Sequence, residues 1–209
     1  MIRLNENVPK KIAICVSGGA DSMAALDFLS KKREVVAVHF NHGTFFADEA
    51  QHLVEDYCLN NDIPLLCGDI HPYTSPGKRS LEDYWREHRY DFFEKIALTP
   101  LYKNIPFITC HHLDDVVETW LFTSMHGQGR LIPSKRGRYL RPLLGTRKAV
   151  LEDWCHRHEV PYIEDPSNQD TSFMRNYIRH ELLPKALKVN PGIYKVMRKK
   201  IINEPVILD

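Results

Sequence analysis

The stretch AICVSGGADSMAAL, residues 13–26, decides the fold of this chain. The apolar run that ends at Val16 predicts a buried strand, and the apolar residues after Asp21 recur at helical spacing. Between them, Gly18 and Gly19 allow backbone conformations that other residues avoid and a close approach to a ligand. The helix that follows offers unpaired N–H groups and the positive end of its dipole. The stretch therefore predicts a strand–loop–helix unit that binds an anion, rather than a plain turn.

The polar residues of this loop indicate which anion it binds. The hydroxyl groups of Ser17 and Ser22 are hydrogen-bond donors, whereas a carboxylate such as Asp21 suits a phosphate only when Mg²⁺ lies between them. The spacing matches neither GxxxxGK[ST] nor GxGxxG. We therefore predict a pyrophosphate nest made of Ser17, Gly18, Gly19, Ala20, Asp21 and Ser22.

Composition excludes several other classes of protein. The 209 residues carry a formal net charge of +1, so any nucleic-acid binding must use a local patch. The five cysteines form no CxxC pair, which argues against a disulfide framework, a zinc knuckle and an iron–sulfur site. No apolar run approaches the ~20 residues of a membrane span, and the first residues do not resemble a signal peptide. We expect a cytoplasmic protein that does not enter the membrane.

Apolar runs and helical patterns alternate along the chain. Predicted strands cover residues 11–17, 34–42, 63–70 and 105–112, and predicted helices cover 21–32, 47–61, 80–98 and 113–125. Residues 126–145 read as a loop with a short strand around Tyr139 and Leu140, followed by a helix over 146–159. Residues 160–170 read as extended and then turning, and a basic helix over 173–187 is expected to stop near Pro184. The alternation predicts an α/β fold with a Rossmann-like parallel sheet and a short helical C-terminal extension.

A second candidate site is HHLDDVVET, residues 111–119, at the end of a predicted strand and the start of a helix. Open α/β sheets bind ligands at such positions. His111, Asp115 and Glu118 can share one helix face, where acids hold Mg²⁺ and a histidine handles a proton. The alternative is a capped helix whose acids complement the dipole. Zinc bound by His111, His112 and Asp115 is disfavoured, because adjacent histidines rarely chelate one ion with good geometry.

Two basic segments follow. Arg175 and Arg179 are four residues apart near Asn168, so they lie on one helix face that can grip phosphate or carboxylate. The loop before them combines basic residues with Tyr139, a mixture that suits RNA backbone and base stacking. Solvated basic surfaces are the alternative for both segments. The basic residues of the loop are Arg130, Lys135, Arg136, Arg138 and Arg141.

Six stretches together resemble a known family. SGGADS is similar to the SGGxDS signature of the N-type ATP pyrophosphatases, also called PP-loop enzymes. VHFNHG (38–43), SLEDYWREHRYDFF with Arg86 and Arg89, and HHLDDVVET resemble motifs of the tRNA(Ile)-lysidine synthetases. RPLLG and EDPSNQDTSFMRNYIRHELLP resemble that family's last motif almost residue for residue. The resemblance spans roughly residues 12–184 in the family's order.

The resemblance implies an adenine-nucleotide alpha-hydrolase fold that uses ATP and Mg²⁺. It implies a ligase that adenylylates the wobble cytidine of a tRNA(Ile), after which free lysine displaces AMP to give lysidine. The implied active-site residues are Asp21, His111, Asp115, Glu118, Asn168 and Arg179, with Asp21 and Asp115 as Mg²⁺ ligands. We further predict RNA contacts from Arg86, Arg89, Arg130, Arg136, Arg138 and Arg175.

The chain departs from that family in three ways. Cys110 stands where glycine is usual, which raises the alternative of sulfur transfer, although a buried small residue explains it equally. The glycine-rich segment after the histidines is short. The chain ends about 25 residues after IRHELLP, so we predict a catalytic domain over 1–184, a helical tail over 185–209, and a homodimer or helper protein that grips the tRNA. The alternatives are another PP-loop enzyme, for tRNA thiolation or amide formation, or a non-catalytic nucleotide- or RNA-binding remnant.

Overall fold

The structure is a computed structural model that describes residues 1–70, 77 and 80–203. Its strands are β1 (Lys11–Val16), β2 (Glu34–Asn41), β3 (Leu65–Asp69), β4 (Phe107–Ile108), β5 (Lys135–Arg136) and β6 (Tyr139–Leu140). Its α-helices are α1 (Ala20–Ser30), α2 (Phe45–Asn60), α3 (Leu81–Leu98), α4 (Leu113–Met125), α5 (Lys148–Arg157), α6 (Met174–Tyr177), α7 (Leu183–Val189) and α8 (Ile193–Asn203). A 3-10 turn (Pro166–Gln169) and a π-helical turn (Ile178–Leu182) complete the described elements.

The strands form one sheet in the order β3-β2-β1-β4-β6-β5. Every pairing is parallel except that of β5 with β6, which closes an antiparallel hairpin at the edge. The predicted α/β fold with a parallel sheet is therefore confirmed, as is the short strand at Tyr139 and Leu140. Strand β5 was not predicted, because two exposed basic residues carry no apolar signal.

Apolar packing covers both faces of the sheet. On one face, α1 supplies small and apolar residues such as Ala24 and Leu26 that are fully buried against β1. On the other face, Phe93 of α3 packs against Phe107 and Val38. A third cluster joins α4 to α7 and α8. Helices on both faces explain why the central strands read as continuous apolar runs rather than as alternating patterns.

The strand order places one crevice at the carboxyl edge of the sheet. Strand β1 pairs with β2 on one side and with β4 on the other, so the strand order changes direction between β1 and β4, although all three strands are parallel. Ligands of open α/β sheets bind at such a switch point. The loop after β1 is SGGADS and the segment after β4 leads into HHLDDVVET, so both predicted sites flank the same crevice.

The C-terminal helical segment continues past Pro184, so the expected stop there is wrong. A proline ring clashes with the carbonyl group four residues earlier and offers no N–H group. Here a π-helical turn, Ile178–Leu182, precedes the proline, and Pro184 occupies the first turn of α7, where a missing N–H group costs little. Beyond it, Ile193 and Met197 of α8 pack on α4. The domain boundary at residue 184 stays a prediction, and the last predicted residues, 204–209, lie outside the described part.

None of the helices in the described ranges combines the length and the apolar character that a bilayer span requires.

Asp27 of α1 joins three elements. Its carboxylate accepts hydrogen bonds from Tyr57 Oη of α2 at 3.0 Å and from Trp154 Nε1 of α5 at 2.7 Å, and Lys31 Nζ lies 2.9 Å from it. Burial raises the pKa of Asp27, but hydrogen bonds from Lys31, Trp154 and Tyr57 outweigh burial and lower the pKa below its ordinary value. The ionised carboxylate is therefore the form that the fold stabilises.

Replacing Asp27 by alanine is expected to lower the free energy of unfolding by about 2–3 kcal/mol at pH 7, because the buried Tyr57 hydroxyl and the half-buried Trp154 N–H lose their acceptor. A carboxyl pKa that is lower in the folded state gives stability that is present above the unfolded pKa of about 4 and lost as pH falls through the folded value. The difference between wild type and variant should therefore shrink in acid. Urea denaturation at neutral and acidic pH measures it. Asp153→Ala, which removes only an exposed pair with Arg157, is the matched control.

Candidate active site

The loop after β1 leaves a helix N-terminus free for an anion. Helix α1 begins at Ala20, and its N-cap residue Gly19 has extended backbone angles and no side-chain capping bond. The first N–H groups of the helix therefore have no intrahelical partner. Gly18 has φ +84°, and a Cβ atom there would lie 3.1 Å from Ala50 Cβ, so any other residue at this position would be strained.

Hydrogen bonds within the loop fix its shape. Ser22 Oγ donates to the Gly19 carbonyl at 2.9 Å and accepts from the Ser17 backbone N–H at 3.1 Å. The Ser17 and Ser22 hydroxyl oxygens are 3.2 Å apart. Ser22 therefore holds the loop in position, although the sequence presented it as one more phosphate donor. Ser17 Oγ and the backbone N–H groups are the groups left to bind a ligand.

Asp21, His112 and Asp115 form a linked set across the crevice. His112 is 2% exposed and is the N-cap of α4, where its backbone N–H donates to Asp115 Oδ2 at 2.9 Å. The Asp115 N–H donates back to His112 Nδ1 at 3.3 Å, which completes a capping box. His112 Nε2 lies 3.3 Å from Asp21 Oδ2. Sequence reasoning omitted His112 from the active site, although the HH pair was a signal for it.

The two histidines have opposite protonation behaviour. Burial lowers the pKa of His112, but the carboxylates of Asp115, Asp21 and Asp114 outweigh burial and raise its pKa to about 9. Burial lowers the pKa of His111 to about 4; Asp115 opposes this, and Arg141 adds to it. At neutral pH, His111 is therefore a neutral imidazole, whereas His112 keeps a proton on Nε2, facing Asp21, while its Nδ1 accepts from the Asp115 N–H.

The two adjacent aspartates have different roles. Asp114 accepts hydrogen bonds from the Lys148 backbone N–H at 2.8 Å and from Tyr194 Oη at 2.8 Å, and Arg147 Nε lies 3.3 Å from it. These bonds tie α4 to α5 and α8. Asp115 instead lines the cavity. The structure thus separates a packing carboxylate from a site carboxylate, which the sequence alone does not.

Glu118 and Arg179 lie one layer behind the cavity wall. Arg179 Nε and Nη2 donate to the two carboxylate oxygens of Glu118 at 2.7 Å and 3.0 Å. Arg179 Nη2 also reaches Asp115 Oδ1 at 3.5 Å. Burial raises the pKa of Glu118, although Arg179 opposes this shift. The pair therefore positions Asp115.

A distant segment is tied to the phosphate loop. The Ile163 N–H donates to the Gly18 carbonyl at 3.0 Å. Asn176 is 8% exposed, and its Nδ2 donates to the carbonyls of Ser167 and Asp170 at 2.8 Å and 2.9 Å. These bonds hold the 3-10 turn at the crevice, where Asn168 and Arg175 line the cavity.

The crevice is a cavity of about 530 Å³. Most of the predicted nucleotide and catalytic residues line it, and Gly18, Ala20, Glu118 and Arg179 stand behind its wall. Arg86 and Arg89, predicted as RNA contacts, line it as well. It is also lined by aromatic and imidazole groups that sequence reasoning missed, although VHFNHG was a signal for three of them. They are His39, Phe40, His42, Trp85 and Tyr90.

The remaining predicted RNA contacts lie elsewhere. Arg136 and Arg138 line a second cavity beside the β5–β6 hairpin. Arg130 is exposed and lines neither cavity.

The donor set suits a magnesium ion that is shared with phosphates. Asp21 Oδ1 is buried without a hydrogen-bond partner among the described residues, while Oδ2 faces His112. Across residues 1–70, 77 and 80–203, no three His, Cys, Asp or Glu side chains converge on one metal position. Mg²⁺ typically binds one or two carboxylates together with substrate phosphates and water. Asp21 and Asp115 fit that pattern, which zinc does not share.

The chain matches a family model and, separately, the sequences of curated relatives. A family model described as PP-loop domain matches residues 2–186. The chain is 33% identical to the tRNA(Ile)-lysidine synthase of Geobacter sulfurreducens over 87% of its length and 41% of that protein. It is 35% identical to the bifunctional protein TilS/HprT of Listeria monocytogenes over 88% of its length and 31% of that protein. The chain thus spans less than half the length of these curated relatives.

Solved structures share the fold at low sequence identity. The U34-tRNA thiolase NcsA of Methanococcus maripaludis, with its [4Fe-4S] cluster, superposes with a TM-score of 0.74 at 13% identity, covering 95% of this chain and 74% of that one. The NMN synthetase of Francisella tularensis superposes with a TM-score of 0.56 at 13% identity, covering 96% and 89%. Both show that the sheet and its helices form a common architecture.

Proposed function

Because this chain belongs to the PP-loop domain family, we propose that it is an ATP-dependent ligase that modifies the wobble cytidine of a tRNA(Ile) with lysine. One observation carries the proposal. The free N-terminus of α1, the unpartnered Oδ1 of Asp21 and the carboxylate of Asp115 face one cavity at the switch point of the sheet. That arrangement suits cleavage of ATP between its α- and β-phosphates. Free lysine, and a second copy or helper protein that adds grip on the tRNA, belong to the same proposal, as does a cytoplasmic location.

The first step activates the base. The carbonyl oxygen at C2 of cytidine attacks the α-phosphorus of ATP, a bond to AMP forms, and pyrophosphate leaves. The N–H groups at the start of α1 and Ser17 hold the departing phosphates, and Arg175 at the cavity wall offsets negative charge. Asp21 and Asp115 would hold Mg²⁺, which when bound offsets the charge that develops on the pyrophosphate.

The second step joins lysine. Its neutral ε-amine attacks C2 of the adenylylated base, a C–N bond forms, and AMP leaves with the former carbonyl oxygen. The amine loses a proton as it attacks, and His111 is the acceptor that the site offers. Its low pKa leaves it unprotonated at neutral pH, and its Nδ1 lies 3.2 Å from Thr109 Oγ1, which fixes the ring. Asn168 lies on the same wall and orients the base or the lysine.

The cysteines of the cavity do not favour sulfur transfer, the main alternative within the fold. Cys15 and Cys110 both line the cavity. Burial raises the pKa of Cys15 to about 12 and raises that of Cys110 well above its ordinary value. Sulfur chemistry needs a thiolate, which these surroundings suppress. Cys110 is therefore better explained as a small residue that packs beside β1.

The test combines ATP, labelled lysine and tRNA with the chain, and follows pyrophosphate release together with mass spectrometry of the tRNA nucleosides. We expect release that depends on both RNA and lysine, and a cytidine that gains the mass of lysine with loss of water. Ammonium or a sulfide donor in place of lysine should give no product. Modification with ammonium or sulfide would instead identify an amide-forming or thiolating enzyme. Absence of release with every RNA and amine contradicts the ligase proposal, and ATP binding without turnover indicates a non-catalytic nucleotide-binding protein.

A further inference from the structure

A second cavity of about 540 Å³ lies between α3 and the β5–β6 hairpin. Arg86 and Tyr90 line both this cavity and the ATP cavity, so the two spaces share a wall. The Arg86 guanidinium lies over the Tyr90 ring, 4.8 Å from its centroid. The other basic residues of the second cavity are Arg136, Arg138 and Arg141.

Two guanidinium groups in this cavity hold donors without acceptors. Arg141 is 5% exposed, and its Nη1 donates to the Pro133 carbonyl at 2.7 Å. Its Nε is buried without a hydrogen-bond partner among the described residues, and so is Nη1 of Arg138. A buried cationic donor without a partner is costly, so protein sites keep one where a ligand supplies the acceptor. Two such donors in one cavity indicate an anion.

The three carboxylates of the cavity wall, those of Asp83, Glu87 and Glu94, each have a partner within the protein. Glu94 accepts a hydrogen bond from Tyr139 Oη at 2.7 Å and lies 3.6 Å from Arg138 Nε. Asp83 accepts from Ser80 Oγ at 2.7 Å at the start of α3. Burial lowers the pKa of Arg141; Tyr90 opposes this shift, and the guanidinium groups of Arg86 and Arg136 add to it. An added anion would relieve this crowding of positive charge.

We propose that the second cavity binds a phosphodiester of the RNA strand next to the nucleotide that reacts in the ATP cavity. We infer a polymeric ligand because Arg86 and Tyr90 line both cavities, so that an RNA strand in one cavity can extend into the other. Arg138 and Arg141 bind the phosphate oxygens, and Arg136 lies at the rim. The inference rests on the proposed function, which supplies an RNA substrate.

The test measures binding of a fluorescent RNA hairpin, with a central cytidine in its loop, to the full chain across a range of KCl concentrations and without lysine. Arg138→Gln should weaken binding about 10-fold, because one charge-assisted hydrogen bond is lost. It should also reduce the slope of log K against log salt by about 0.7. Arg136→Gln, at the rim, should act in the same direction. Lys135→Gln removes one exposed charge from the same hairpin outside the cavity and should change binding less than about twofold.

Three binding results overturn the inference: no RNA binding by the wild type, unchanged binding by both arginine variants, or equal weakening by Arg138→Gln and Lys135→Gln. Thermal unfolding of each variant shows whether the hairpin remains folded, and Arg136→Gln keeps the test valid if Arg138→Gln unfolds. Binding through Arg138 by a chain that releases no pyrophosphate supports this inference while contradicting the proposed function. Normal turnover of Arg138→Gln at limiting RNA overturns the inference and leaves the proposed function standing.

Discussion

Replacing Asp21 by alanine is expected to lower RNA- and lysine-dependent pyrophosphate release by at least about 10³-fold. The side chain offers an oxygen, Oδ1, that has no hydrogen-bond partner among the described residues, and its other oxygen, Oδ2, lies 3.3 Å from His112 Nε2. The variant loses one of two carboxylates beside the phosphates and leaves His112 without this acceptor. Release of pyrophosphate, followed with a coupled assay at saturating ATP, measures the change.

Asp21→Asn separates charge from shape. The amide retains an oxygen that accepts from His112 Nε2, so the fold should be kept, yet it binds a cation poorly and activity should still fall by orders of magnitude. Asp153→Asn, an exposed change on α5, is the control and should leave the rate unchanged. A folded Asp21→Asn variant within about tenfold of the wild-type rate would contradict the assignment of Asp21 as a metal ligand.

Replacing Arg179 by alanine is expected to lower the free energy of unfolding by about 3–5 kcal/mol, because Glu118 becomes an uncompensated buried carboxylate. Glu118 has a side chain that is 3% exposed, and Arg179 donates to both of its oxygens. Urea denaturation measures the loss. Lys185→Ala removes an exposed ion pair with Glu181 nearby and should cost less than about 0.5 kcal/mol.

The pH dependence and a double variant identify the cause. Burial raises the pKa of Glu118, and removal of Arg179 raises it further. A carboxyl pKa that is higher in the folded state gives stability that is present below the unfolded pKa of about 4.3 and lost as pH rises through the folded value. The single variant should therefore lose more stability at pH 7 than at pH 4. Arg179→Met with Glu118→Leu should recover stability without activity, and recovery of both would show that the pair does not position Asp115.

Most of the architecture follows from local patterns. Continuous β-branched runs alternating with amphipathic stretches predicted the parallel sheet, and SGGADS predicted the turn that follows its central strand. The misplaced stop at Pro184 has a physical cause. The penalty that a proline imposes depends on hydrogen bonds several residues earlier, and a π-helical turn there removes the conflict.

Sequence patterns predicted which residues belong to the site better than they predicted the role of each residue. Residue type places both Asp114 and Asp115 at the start of a helix, but only the arrival of Arg147 and Tyr194 from distant elements makes Asp114 a packing residue. The path of the loop likewise decides that Ser22 bonds within the loop, whereas the Ser17 hydroxyl is left to bind a ligand. The roles of these residues depend on tertiary contacts, which the spacing of residues within a motif does not predict.

Asp115 has two structural roles at once, one of them in the capping box of α4. One of its oxygens closes the first turn of the helix through the His112 N–H, and the other, Oδ1, lies 3.5 Å from Arg179. A substitution at Asp115 therefore changes local folding and chemistry together, so a loss of activity in such a variant does not separate the two effects. Asp21 does not cap α1, because the N-cap residue of that helix is Gly19, which makes no side-chain capping bond. A substitution at Asp21 is therefore expected to report on chemistry more directly than one at Asp115. At Asp115, the helix cap and the site both restrict which residues can be accommodated.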